Sequence, residues 1–289
     1  MKYLKSPNNF AELPSNFSNY DNSKVVILPL PYEKTTCYVK GTKKGATAII
    51  QASGEMELYD KENENIFECG ICTLKELIVN EKPEGMVKIV YDKIKTLLED
   101  DKFVVTLGGE HSITSGIVKA FKEKNNDLSV LQIDAHADLR EEFEGTRYSH
   151  ACAMSRTIEI CPIVPVGVRS LSYEESQFIE EKKLKVFWAK DIFDNNKWFD
   201  DAISRLSNNV YITIDLDGFD PSILPSVGTP EPGGLGYYQS LSFLKKVCEE
   251  RNVLGFDVVE LCPNRYNVSS EFTAAKLIYK LIGYKFCKK

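Results

Sequence analysis

Asp134-Ala135-His136-Ala137-Asp138 sets three metal-type donors at alternating positions directly behind the apolar run Ser129–Ile133. Asp215-Leu216-Asp217-Gly218-Phe219-Asp220-Pro221 follows a second run, Val210–Ile214, and His111 follows a third, Phe103–Leu107, through Gly108-Gly109-Glu110. A carboxylate left unpaired at the end of a buried strand costs several kcal/mol. A single such segment is explained by a helix cap or a solvated loop; three together point to bound metal. An EF-hand loop does not account for the Asp215–Asp220 cluster. Glycine would have to fall at position 6 and an oxygen ligand at position 5, whereas Gly218 is at position 4 and Phe219 at position 5. The donor set is His111, Asp134, His136, Asp138, Asp215 and Asp217. Six donors exceed the need of one first-row ion, and carboxylates bridging two ions about 3.5 Å apart explain the surplus. An oxygen-rich set with two imidazoles and no thiolate favours Mn²⁺ over zinc, copper or calcium, with iron, cobalt and nickel also compatible with these ligands.

The chain has 289 residues, with 36 basic and 42 acidic side chains and only three histidines. Three histidines exclude an all-histidine centre, so any metal must lean on carboxylates. A net charge of −6 argues against nucleic acid, which requires a basic face, and suits a small cationic ligand. No stretch approaches the ~20 apolar residues of a membrane span, and the N-terminus lacks an apolar signal core. A cytoplasmic protein without membrane contact is expected. The eight cysteines are scattered, and Cys69-x-x-Cys72 has no second pair to complete a zinc ribbon; two reduced thiols are expected there.

Something must carry those donors to one place. Strands are expected at Val25–Leu30, Phe103–Leu107, Ser129–Asp134, Ile163–Val168, Lys185–Trp188, Val210–Asp215 and Val253–Val259, with a weaker one near Ile66–Ile71. Their nearly continuous apolar character is that of strands buried on both faces. Helical patterns at Gly85–Leu98, Ser112–Lys124, Tyr173–Lys182, Tyr237–Glu250 and Ser270–Ile282 alternate with them. The alternation predicts an α/β protein, a three-layer α/β/α arrangement around a mostly parallel, about eight-stranded sheet. No repeat or linker interrupts it, so residues 1–289 read as one domain. Ligands of such sheets gather at the carboxyl ends of the strands, where the donors fall.

GGEHS, DAHAD and DLDGFDP, in that order, resemble the signatures of the ureohydrolase superfamily of arginases and agmatinases. Gly167-Val168-Arg169-Ser170, the Gly228–Gly234 segment GTPEPGG and Val259-Glu260-Leu261-Cys262-Pro263 also resemble family blocks, and the likeness covers the chain from Val25 onward. The resemblance implies two Mn²⁺ ions, one held by His111, Asp138, Asp134 and Asp215, the other by His136, Asp217 and the same two bridging aspartates. It implies that His150 transfers a proton, that Glu260 holds a substrate guanidinium, and that the protein is a homo-oligomer, a trimer or hexamer. It also implies an amidinohydrolase that releases urea. Glu110 stands where the family often has Asp, and Cys262 where it often has Asn.

A guanidinium is a poor electrophile that stays protonated at neutral pH, so its hydrolysis needs water activated by metal and a carboxylate to orient the cation. Asp138 is expected to orient that water, and histidine titrates in the range needed to protonate the leaving amine. The arginase-type amino-acid clamp is absent, because Asp138 is followed by Leu139-Arg140-Glu141-Glu142. The resemblance then favours agmatine, giving putrescine and urea, with Glu231 attracting the distal ammonium. N1-aminopropylagmatine, giving spermidine, is the alternative, followed by guanidinobutyrate and arginine. Arg140 and Arg147 would discourage a cation if they faced the pocket, unless Glu141, Glu142 and Glu144 pair with them.

Overall fold

Strands that exclude water on both sides build a parallel sheet only when helices cover both faces. The computed structural model describes residues 1–287 and shows how this chain does it. In chain order its main elements are β1 (Val25–Leu30), α1 (Gly45–Ser53), β2 (Ile71–Thr73), α2 (Pro83–Glu99), β3 (Phe103–Gly108), α3 (Thr114–Lys124) and β4 (Leu128–Ile133). They continue with α4 (Ala153–Ile158), β5 (Ile163–Val166), α5 (Tyr173–Lys182), β6 (Asn209–Asp215), α6 (Tyr237–Glu250), β7 (Asn252–Val259) and α7 (Ser269–Phe286). The sheet runs β2-β1-β3-β7-β6-β4-β5 with every neighbour parallel. The last strand in sequence, β7, therefore lies in the middle of the sheet, between β3 and β6.

Two apolar clusters complete the layers. On one face Ile49 of α1, Leu244 of α6 and Ile278 of α7 pack against Ile27, Val105, Ile212 and Phe256. On the other, Val90 of α2, Ile117 of α3, Met154 of α4 and Ile179 of α5 pack against Val26, Val104, Val130 and Tyr211. Alternate residues of each strand serve opposite faces, as the pleat dictates. Among the described residues no helix is long and apolar enough to cross a membrane.

The central sheet has seven strands, where about eight were expected. Ile66–Cys69 is a 3-10 turn, and Gly70 at φ 77° redirects the chain so that pairing begins only at Ile71. Lys185–Trp188 does not form a ladder strand; Phe187 makes a single bridge to Val166. The strand expected at Ile163–Val168 ends at Val166, because Gly167 turns away at φ 95°. Helix α2 starts at Pro83, ahead of the expected Gly85, with proline in the first turn where its missing N–H costs nothing. Cys69 and Cys72 carry free thiols, and burial pushes them up to about 12 and about 11, the opposite of a reactive redox pair.

The glycines that lead to His111 act by close approach, not by an unusual turn. A Cβ on Gly109 would stand 2.1 Å from the carbonyl oxygen of Tyr32. Gly109 N–H donates to Leu30 O and Glu110 N–H to Tyr32 O, which extends β3 alongside the end of β1. Gly109→Ala is expected to destabilise the protein by about 3 kcal/mol, since backbone must move to admit the methyl. Thermal denaturation of the metal-free variant measures this; an unchanged midpoint would contradict it.

Candidate metal centre and substrate cavity

His111, Asp134, Asp215 and Glu260 lie just beyond or at the carboxyl ends of β3, β4, β6 and β7, which are contiguous in the sheet. That adjacency is what converts three distant sequence segments into one cluster. His111 Nδ1 lies 3.0 Å from Asp138 Oδ2, 3.2 Å from Asp134 Oδ2 and 3.4 Å from Asp215 Oδ2. His136 Nδ1 lies 2.9 Å from Asp217 Oδ2 and 3.8 Å from Asp134 Oδ1. Two overlapping groups able to hold a metal result, His111/Asp134/Asp215 and Asp134/His136/Asp217, with the buried Asp134 common to both. Asp138 adjoins the first group through His111. All six expected ligands are therefore brought together; Asp134 is shared between the groups, and Asp215 belongs to the first.

The side chains fit a cation. His111 Nδ1 is buried and makes no hydrogen bond among the described residues, although three carboxylate oxygens surround it. Its Nε2 lies 2.8 Å from Thr213 Oγ1, and that hydroxyl donates its only proton to Asp257 Oδ1 at 2.6 Å. Thr213 must then accept from His111 Nε2–H, so that in the neutral ring the Nδ1 lone pair faces the carboxylates. Without metal, burial opposes the charge, but Asp134 and Asp138 outweigh it and raise the ring well above its ordinary pKa. Asp257 is fully buried in β7 and also accepts from Thr114 and Tyr211. Second-layer bonds also fix the other ligands. His136 N–H donates to Asp134 Oδ1, Gln132 to Asp134 Oδ2, Ala135 N–H to Asp217 Oδ1, and Asp217 N–H to Asp215 Oδ1. Asp138 is held at φ 51°, a left-handed conformation that costs a non-glycine residue about 1 kcal/mol or more, and its carbonyl accepts from Met154 and Ser155 at the start of α4.

Without metal this cluster gathers protons. Burial, then the charges of Asp138 and Asp217, raise Asp134 to about 7. Burial and Asp217 push Asp215 well above the carboxylate range. At His136 burial opposes the charge, but Asp217, Asp134 and Asp138 outweigh it and lift the ring to about 10. These shifts share one sign. Each group holds its proton in the folded chain after the unfolded chain has released it, so stability falls as pH rises between roughly 4 and 10. The metal-free protein is expected to melt at progressively lower temperature from pH 6 to pH 9. Divalent metal should flatten that slope and release protons on binding, with affinity rising with pH. Calorimetry in buffers of different ionisation enthalpy counts the protons; binding without proton release would contradict the arrangement.

Beside the cluster lies a cavity of about 230 Å³ whose walls include His136, Asp138, Asp217, His150 and Glu260. Glu260, at φ 64°, accepts the His111 N–H through Oε1 at 2.7 Å. Burial, followed by the charge of Glu110, holds its carboxyl well above the usual range, against the opposing pull of the His111 N–H and ring. His150 sits in the wall with Phe143 edge-on to its ring at 5.8 Å. Glu231 stands beside the cavity, not in its wall, with Oε1 3.9 Å from His136 Nε2. Arg147 pairs with Glu141 and Glu159, away from the cavity. Arg140 does line it, lying over the Phe143 ring and 3.9 Å from Glu175.

Two site residues carry no local motif. Thr213 and Asp257 appear in sequence as polar interruptions of apolar strands, the only signal available for them. The Arg169 guanidinium donates to the carbonyls of Gly167, Asp217, Gly218, Phe219 and Glu231, and so braces the loop that presents Asp217.

A sequence model described as the Arginase family matches residues 23–283. The chain is 43% identical over 297 residues to the N(1)-aminopropylagmatine ureohydrolase of Synechocystis sp., covering 97% of both chains. It is 34% identical over 276 residues to the agmatinase of Pyrococcus horikoshii, covering 94% of this chain and 95% of that one. Among solved structures, the agmatine ureohydrolase of Thermoplasma volcanium superposes with a TM-score of 0.85 at 31% identity, over 93% of this chain and 92% of the other.

Proposed function

The chain belongs to the arginase family, and from that premise we propose that it is a manganese-dependent ureohydrolase whose preferred substrate is N1-aminopropylagmatine. Agmatine is the second reading. The observation that carries the reaction is Glu260, a buried carboxyl with no Lys or Arg ion pair among the described residues, in the wall of a cavity that opens on the Asp/His cluster. The order of substrates rests on relatives: 43% identity to a protein named for N1-aminopropylagmatine, against 34% to one named for agmatine.

Divalent ions bound in such a cluster supply nucleophilic water at neutral pH. The chain's own residues do the rest. Glu260 takes two N–H groups of the guanidinium in charge-assisted hydrogen bonds and fixes the plane of the substrate above Asp138 and Asp217. The bond between the guanidino carbon and the alkyl nitrogen breaks, the carbon keeps the oxygen of water as urea, and the amine leaves. His150, in the same wall, relays to the departing amine a proton given up by the attacking water. Arg140 is partly neutralised by Glu175, which leaves room for a second positive charge farther out. The same reading includes a homo-oligomer, a trimer or hexamer, which sedimentation velocity tests.

The deciding experiment is urea release by Mn²⁺-loaded protein from N1-aminopropylagmatine, agmatine, guanidinobutyrate and arginine. We expect the highest kcat/KM for the first. Preferential hydrolysis of arginine would overturn the substrate reading, and no urea from any of them would overturn the reaction.

A further inference from the structure

Glu110 is fully buried next to a proposed metal ligand, and its carboxylate is taken up by the Lys34–Thr35 loop and Ser112. Oε2 accepts from the backbone N–H groups of Lys34 at 2.5 Å and Thr35 at 2.7 Å. Oε1 accepts from Thr35 Oγ1 at 2.7 Å and from Ser112 Oγ at 2.6 Å. A carboxylate in this position only accepts, so the single hydroxyl proton of Thr35 is committed to Glu110. Thr35 Oγ1 has two further neighbours, the backbone N–H of His150 at 2.9 Å and the ring Nδ1 of His150 at 3.2 Å. With its proton spent, the hydroxyl can only accept from both.

We infer that Glu110, acting through Thr35, is a positioning residue that keeps the proton of neutral His150 on Nδ1 and its Nε2 lone pair free on the cavity side. Nε2 does lie on that side, 3.9 Å from Sγ of the exposed Cys37 in the cavity wall. A ring held this way takes at Nε2 a proton given up by the attacking water, becomes an imidazolium, and passes the same proton to the departing amine; Nδ1–H is never exchanged. The opposite tautomer would present an N–H to the cavity and could accept nothing there. Ser149 Oγ also lies 3.2 Å from Nδ1, and a proton donated from it would favour that opposite tautomer. The inference rests on the ureohydrolase reading for its consequence in turnover, but not for the tautomer itself.

The two levels separate in the test. The chain has only three histidines, so ¹⁵N-histidine labelling with magic-angle-spinning NMR of the metal-free protein resolves the ring nitrogens, with His150→Gln assigning the signal. Neutral His150 is expected with Nδ1 protonated. Thr35→Val keeps the side-chain volume and removes the hydroxyl; it should shift the tautomer toward Nε2–H and lower kcat about tenfold or more with little change in KM. Thr35→Ser should restore both, and Glu110→Gln should reproduce the valine variant if it folds. Protonated Nε2 in the unmodified protein, or a tautomer and kcat unmoved in Thr35→Val, would overturn the relay. Absence of urea release from every guanidino compound would instead overturn the functional reading, while the NMR result would still decide the tautomer.

Discussion

Asp134→Ala is expected to lower urea release by at least about a thousandfold, because metal ions supply several kcal/mol of catalysis and each 1.4 kcal/mol is a factor of ten. Among the described residues Asp134 is the donor common to both metal-holding groups, and its oxygens are fixed by Gln132 and the His136 N–H. Its removal should therefore deplete both groups at once. His136→Ala removes a donor from one group and leaves the His111/Asp134/Asp215 group whole. The contrast is measurable: metal content per chain should fall further in Asp134→Ala than in His136→Ala. The metal-free Asp134→Ala protein should not unfold, since it loses a buried acid that like charges already destabilise. Retention of both metal and turnover in Asp134→Ala would remove the basis for a carboxylate-bridged centre.

The second large effect is expected at Glu260. Glu260→Gln preserves shape and can still accept the His111 N–H, but it sets a neutral amide against a guanidinium. Removing one member of a buried charge pair costs roughly 2–5 kcal/mol, so kcat/KM should fall by about 30-fold or more. Stability should move the other way. Because burial raises the Glu260 pKa, the unfolded chain loses this proton first, and the ionised group weakens the metal-free fold as pH rises. Glu260→Gln removes that penalty, so its melting temperature at pH 8 should equal or exceed that of the unmodified protein. Lost turnover with preserved melting distinguishes a substrate carboxylate from a structural one; full turnover would transfer the guanidinium to another group.

The members of the aspartate–histidine cluster were legible in the sequence because each follows an apolar run long enough to be buried, and a charge in that position has few other uses. The three-layer order was legible for the same reason. What escaped were features that exist only once strands are neighbours. Asp257 looks like one polar residue in a strand until β6 places Thr213 and Tyr211 beside it. The 3-10 turn at Ile66–Cys69 was hidden because its apolar residues pack on the core as a strand's would, and only Gly70 marks the break. Arg140 and Arg147, alike in sequence, separate by partner: Arg147 finds Glu141 and Glu159, while Arg140 stays at the cavity. Glu110, which in sequence is a departure from an expected aspartate, reaches the Lys34–Thr35 loop.

The place of β7 has a consequence for synthesis. A ribosome delivers β2, β1 and β3 early and β4, β5 and β6 later, but the strand that joins these two sets is made after both. Until residues 252–259 have emerged, His111 belongs to one half-sheet and the five aspartate and histidine partners to the other. Neither half alone contains a complete metal-holding group that includes His111, and each exposes an unpaired edge where β7 will insert. A nascent chain arrested before Asn252 should bind divalent metal no more tightly through His111 than an unfolded peptide does. Metal capture by the complete centre thus reports that translation has passed β7.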